Sequence, residues 1–165
     1  MKQSLLLTTL FLYVCITGCH KEKEIEKSSC VLLSSDDYLI FGTTFGFCAG
    51  NCTQLFKLTT SQLFEDDNEY FVRGEVVKFK SQPLSNAKLA MAEELCKTFP
   101  YDKIKSEAET LGCPDCHDQG LIYFELKKNG VVKKWYVDPD ANQNQVPDYL
   151  KMYIQTVRTT VDKLK

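Results

Sequence analysis

The sequence predicts an α+β domain: a largely antiparallel sheet, built from strands, a helix, a hairpin and a C-terminal helix, with the helices on one face. Three observations carry this. Runs of alternating or continuous apolar residues, rich in aromatic and β-branched side chains, fill residues 37–66. Asn129-Gly130 lies between two further such runs and is the dipeptide that a two-residue hairpin favours. Residues 85–99 and 147–164 carry apolar side chains at helical spacing. Strands here do not alternate regularly with helices, so an antiparallel sheet is expected rather than a doubly wound parallel one.

The elements follow in chain order. Residues 1–18 begin with MKQS, whose one charge is Lys2, and continue with the apolar stretch LLLTTLFLYVCI (5–16), too short to span a hydrocarbon core of ~30 Å. This is the pattern of a secretory signal peptide. Its end, Ile16-Thr17-Gly18-Cys19, resembles the lipobox of bacterial lipoproteins, in which the signal is cut before a cysteine whose thiol is acylated. The resemblance implies that Cys15 leaves with the signal and that Cys19 becomes the lipidated N-terminus. Several acyl chains hold a protein on a membrane where a single chain binds only marginally, so membrane lipid is the implied partner of Cys19. His20, rather than Asp, follows Cys19, which by the sorting rule of enteric lipoproteins implies the outer membrane, at its periplasmic face or the cell surface. HKEKEIEKSS (20–29) alternates Lys and Glu around one apolar residue and reads as a solvated tether, making 19–29 a lipidated cysteine plus linker.

Residues 30–165 are long enough for one domain with its own core. DYLIFGTTF (37–45), TQLFKLTT (53–60) and QLFED (62–66) are expected strands, and YFVRGEVVKF (70–79) continues as one or two more around Gly74. SNAKLAMAEELCKTF (85–99) aligns Leu89, Ala92, Leu95, Cys96 and Phe99 on one helical stripe, with Ser85 as N-cap and Pro100 as stop. GLIYFELKK (120–128) and VVKKWYVD (131–138) form the hairpin. Pro147 starts a helix whose apolar face is Leu150, Tyr153, Ile154, Val157, Val161 and Leu164.

The charge balance excludes a nucleic-acid binder. The chain has 20 Lys and Arg against 22 Asp and Glu; loss of residues 1–18 removes only Lys2 and makes the balance more acidic, with no basic patch. A protein or small-molecule ligand is the expected partner class.

Six of the eight cysteines belong to the domain: Cys30, Cys48, Cys52, Cys96, Cys113 and Cys116. In an exported chain, close spacings such as FCAGNC and GCPDC favour disulfides, so Cys48, Cys52, Cys113 and Cys116 are the disulfide candidates. They close two short loops or cross-link the two sets. Cys30 and Cys96 pair with each other, or Cys96 is a buried small hydrophobe. Three other uses compete. CxxxC with CxxC has the ligand number of a four-cysteine zinc site, provided the thiolates stay reduced. Cys113-Pro-Asp-Cys116-His117 matches the attachment motif of c-type haem, with His117 as proximal ligand and Met91, Met152 or His20 as the second. CPDC also has the spacing of a thiol-disulfide oxidoreductase, without the helix N-terminus that lowers a reactive thiol's pKa. The expectation is a membrane-anchored, non-enzymatic binding or structural module stabilised by disulfides, without cofactor or metal.

FGTTFGFCAGNCTQLFKLTTSQLFED, the later GCPDC, the apolar strand pair and VPDYLKMYIQTV together resemble a group of small Bacteroidota lipoproteins of unknown function, over most of residues 37–160. CxGxC before a strand is more distantly similar to a domain family of unknown function with the motif Cys-aromatic-Gly-x-Cys-Pro-x-Tyr. Ala49, Thr53 and Leu55 depart from that motif, so only Cys48, Gly50 and Cys52 carry over. Neither resemblance implies a chemistry.

Other patterns read as turns. Asp138, Asp140, Asn142 and Asn144 sit at alternate positions like a calcium loop, but Gln143 and Tyr149 stand where Gly and Glu are required. Asp66, Asp67 and Glu69 form an acidic turn. The chain has no GxSxG, phosphate loop or HExxH.

Overall fold

A computed structural model describes residues 30, 32–46, 48–140 and 145–165. The signal segment, Cys15, Cys19, His20 and the tether lie outside the described residues, as do Asn142, Gln143 and Asn144.

Six strands form one sheet: β1 (Tyr38–Thr44), β2 (Thr53–Leu58), β3 (Leu63–Glu65), β4 (Thr110–Leu111), β5 (Leu121–Lys128) and β6 (Val131–Val137). The spatial order is β3-β2-β1-β5-β6-β4, antiparallel throughout except for β4, which runs parallel to β6. The β5–β6 turn is the expected hairpin. Asn129 and Gly130 both have positive φ, 52° and 80°, the pair of left-handed residues that a type I′ turn requires.

Among the described residues, three helices accompany the sheet: α1 (Asn86–Lys97), α2 (Tyr101–Ile104) and α3 (Asp148–Leu164). Ser85 caps α1, its hydroxyl accepting from the Lys88 N–H at 3.4 Å. Period-2 alternation on the strands puts Phe56, Phe41, Phe124 and Trp135 in one register-aligned row across four strands. The stripes of α1 (Ala92, Leu95, Cys96) and α3 (Leu150 to Leu164) cover that row. Phe99 closes the junction, its ring 5.6 Å from Phe124 and 5.7 Å from Tyr153. Each of these fully buried side chains stabilises by about 1.5–3 kcal/mol relative to exposure.

The expected strand at 70–79 does not form. Residues 67–84 are instead an irregular strap across the sheet's second face, bonded to the β3 end of the ladder by the Asp66–Phe79 bridge, by Lys80 N–H to Glu65 O at 2.9 Å and by Leu84 N–H to Leu63 O at 2.7 Å. Phe71, Val77 and Phe79 pack on Ile40, Leu55, Tyr123 and Tyr136. Their apolar spacing is satisfied by lying across the strands, so it looks strand-like although only the end from Phe79 onward bonds to a strand edge. The neck is tied by Asn68, whose amide donates to Lys78 O at 2.9 Å and whose Oδ1 accepts from the Lys78 N–H at 3.2 Å. Further along, the Arg73 guanidinium lies 4.0 Å from the Tyr136 ring centroid and donates to Thr110 Oγ1.

Three disulfides join Cys30 to Cys96, Cys48 to Cys52 and Cys113 to Cys116, with Cα atoms 5.6, 5.7 and 5.6 Å apart. The sequence separations, 66, 4 and 3, set their worth. By loop-closure entropy the long bridge stabilises by about 4 kcal/mol and each short one by only about 2 kcal/mol.

Candidate functional site

The two short disulfides meet at one end of the sheet, because β1, β4 and β6 end there and β2 and β5 begin there. The connecting loops lie side by side where Phe45 and Gly46 meet Asp115 and Gly120. A Cβ built on Gly46 would fall 2.2 Å from the Asp115 carboxylate, and one on Gly120 would fall 2.6 Å from the Phe45 ring. Gly120 also meets backbone, its Cβ position falling 2.6 Å from Thr44 O at φ 75°, so a larger residue there would hold the loops apart.

Asp138, the first residue past β6, organises the CPDC loop. It is fully buried, and each carboxylate oxygen is used. Oδ2 accepts from the Cys113 N–H at 3.1 Å; Oδ1 accepts from the Asp140 N–H at 2.8 Å and from Gln119 Nε2 at 3.5 Å. Gln119 Nε2 also donates to Cys113 O at 2.9 Å, while its Oε1 takes the His117 N–H at 2.7 Å. Asp115 N–H donates to Gly120 O at 2.9 Å, and Gly120 N–H returns a bond to Asp115 Oδ1 at 3.1 Å. Asp115 and Asp118 have positive φ, 62° and 56°, a conformation that Asp tolerates better than bulkier residues. The alternating acids of the calcium-like pattern are thus split: Asp138 faces inward as a loop anchor and Asp140 is exposed.

Exposure separates the three bridges. Cys113 and Cys116 are both exposed. Cys48 is exposed but Cys52 is buried, and Cys30 and Cys96 are both buried. Bonded to each other, Cys113 and Cys116 offer neither the thioethers that haem attachment needs nor thiolates for zinc. His117 is exposed on the turn, and Met91 and Met152 lie on exposed faces of α1 and α3. Among the described residues, no three His, Cys, Asp or Glu side chains are grouped to hold a metal ion. CPDC lies on a turn between β4 and β5, and no helix starts at Cys113.

No protein-family model matches this chain, and no curated protein matches it in sequence.

A second cluster lies under the strap and was not legible in the sequence. Glu125 of β5 is buried and accepts from Tyr38 Oη at 2.7 Å and Tyr123 Oη at 2.6 Å, with Lys134 Nζ 3.5 Å away. Burial first, and the bond to Glu125 second, push both tyrosine hydroxyls far above their usual range. A cavity of about 190 Å³ adjoins it, walled by Val76, Val77 and Phe79, with Lys57 Nζ 4.7 Å from the Tyr38 ring centroid. Near the strap's neck, burial raises the Asp66 carboxyl above its ordinary value even though its Oδ2 accepts from the Leu55 N–H at 2.7 Å. Asp66 is therefore a structural link between β2 and the strap. Asp67 and Glu69 stay at the surface.

Beside the long disulfide, a groove of about 610 Å³ runs between α1, α2 and α3, lined by Leu32, Phe99, Tyr101 and Tyr149 and rimmed by Lys103 and Lys128. Among the described residues, no helix is long and apolar enough to cross a membrane.

Proposed function

We propose that this chain is an exported lipoprotein: a binding or structural module, stapled by disulfides and carried on the outer membrane by acyl chains on Cys19. One observation carries the compartment. All six domain cysteines are joined in three pairs, an arrangement that persists in oxidising compartments and is rare where glutathione and thioredoxin keep thiols reduced. The membrane attachment rests on the sequence Ile16-Thr17-Gly18-Cys19 behind a charged start and a twelve-residue apolar run. The charged tether then separates the anchor from the domain, and the likeness to small Bacteroidota lipoproteins points the same way. Binding is the expected work of the module, with its ligand class a protein or small molecule.

The test is fractionation of cells expressing the full chain or Cys19→Ser, with a labelled fatty acid supplied. The natural chain should incorporate label and sediment with outer membranes on a density gradient. Cys19→Ser should carry no label and leave the membrane fraction; its retention there sinks the anchor. Intact mass with and without reductant, after thiol alkylation, should show six thiols appearing only on reduction.

A further inference from the structure

We propose that Cys113–Cys116 is a redox-active disulfide that exchanges with dithiols. This inference is independent of the anchor on Cys19. Two observations carry it.

The first is access. Exchange requires a thiolate to reach a disulfide sulfur, and among the three bridges this one alone has both of its residues exposed. Cys30 and Cys96 are sealed under the helices at 5% and 2% exposure, and Cys52 is 1% exposed beneath its loop.

The second is that the CPDC loop is held by bonds that do not involve sulfur. The Asp138 carboxylate holds the Cys113 N–H, Gln119 holds the Cys113 carbonyl, and Asp115 and Gly120 exchange two hydrogen bonds across the turn. The Cys116 N–H donates to Cys113 O at 3.3 Å. Opening the bridge therefore leaves both cysteines on a fixed backbone, with Cα atoms 5.6 Å apart, so that once one of them carries a mixed disulfide the other recloses the pair in an intramolecular step that expels the partner's thiolate. The native loop therefore does not need the bridge to keep its shape, and a cycling pair needs that independence.

The step balances with the dithiol as reductant. One of its thiolates bonds to a sulfur of the pair; the Cys113–Cys116 bond breaks, and the departing sulfur leaves as a thiolate and takes a proton from water. The second thiol of the reductant, deprotonated, attacks the mixed disulfide and releases the remaining cysteine. Two electrons and two protons have passed to the protein, which ends as a dithiol, and the reductant ends as a disulfide.

The experiment places the oxidised full chain in dithiothreitol and glutathione buffers, quenches with N-ethylmaleimide and maps the labels by peptide mass. Cys113 and Cys116 should take label at least about tenfold faster than Cys48, Cys52, Cys30 or Cys96, as access dictates. The near-UV circular dichroism should stay native, and the pair should reclose when the reductant is replaced by oxidised glutathione, which takes up the two electrons. At least one of Cys113→Ser and Cys116→Ser should accumulate a mixed disulfide with glutathione. The double variant should fold and lose the acceleration of dithiol-peptide oxidation by oxidised glutathione, the terminal oxidant. Opening no faster than that of Cys48–Cys52, opening only together with global unfolding, or no mixed disulfide in either single variant overturns the proposal.

Discussion

Cys30 is bonded to Cys96, which ties the first described residue of the domain to the buried stripe of α1. This bridge closes 66 residues of chain, including β1, β2, β3 and the strap, so it restricts the unfolded state far more than the two short bridges do. Replacing both cysteines by Ala should cost about 4 kcal/mol, read as a lower urea midpoint with a steeper slope, because the unfolded chain without the bridge exposes more surface. Replacing both Cys113 and Cys116 by Ser should cost no more than about 2 kcal/mol. Equal losses in the two variants would contradict this ranking.

Glu125 should matter more as an acceptor than as a charge. Its oxygens take hydrogen bonds from Tyr38 and Tyr123, and Tyr123 is 1% exposed. Glu125→Leu leaves a buried hydroxyl without an acceptor and should cost about 1–3 kcal/mol, while Glu125→Gln keeps one acceptor oxygen and should cost less. Urea unfolding of the two variants ranks them; a Gln variant no better than Leu would assign the loss to charge.

The same cluster sets an alkaline limit. Tyr38 and Tyr123 hold their protons in the fold far above the pH near 10 at which an unfolded tyrosine releases them, and buried Tyr153 does so for burial alone. A raised folded pKa contributes stability that is complete below about 10 and is lost as pH rises beyond it, because only the unfolded chain then gives up its protons. Unfolding free energy measured from neutral pH to strong alkali should fall above that point, and Tyr123→Phe should make the fall shallower.

At the acid end the counterpart is Asp37. Its carboxylate accepts from Ser34 Oγ at 2.6 Å, from the Ser34 N–H at 3.0 Å and from the Asn129 N–H at 2.8 Å, and these bonds, Ser34 first, hold its pKa below the ordinary value. A lowered pKa contributes stability present above about 4 and lost as pH falls through the folded value. Asp37→Asn should therefore be less stable than the natural chain at neutral pH, with the gap closing on acidification. A gap independent of pH would show that packing, not ionisation, is responsible.

Strands β1, β2, β5 and β6 and helices α1 and α3 were legible because each buries a face at its own period, and Asn129-Gly130 fixes the hairpin without tertiary help. β4 and α2 were missed: two and four residues carry too little pattern, and β4 exists only because β6 offers Tyr136 and Val137 as parallel partners. The spacing of Phe71, Val77 and Phe79 is that of a half-buried strand, and nothing local distinguishes packing across a sheet from pairing along its edge. The two short cysteine spacings were visible, but their pairing within each set rather than between sets depends on loop geometry. The roles of Asp138 and Glu125 depend on partners far off in sequence: 25 residues to Cys113, and 87 to Tyr38.

Gly42 offers a test of how tightly β1 and β2 are packed. It lies opposite Leu55, at φ 155°, and a Cβ there would fall 2.0 Å from Gln54 O and 2.9 Å from Leu55 Cα. Those are backbone atoms of a strand that also pairs with β3 and whose Leu55 N–H is held by Asp66, so β2 has no free direction in which to retreat. Gly42→Ala should cost about 3 kcal/mol. Gly74 in the strap also has positive φ, 90°, but open space around it, so Gly74→Ala carries only the backbone penalty of about 1 kcal/mol. Urea midpoints of the two variants measure the difference directly. Similar small losses would mean that β2 yields to the added methyl, and the close approach at Gly42 would then not be what fixes the β1–β2 pairing.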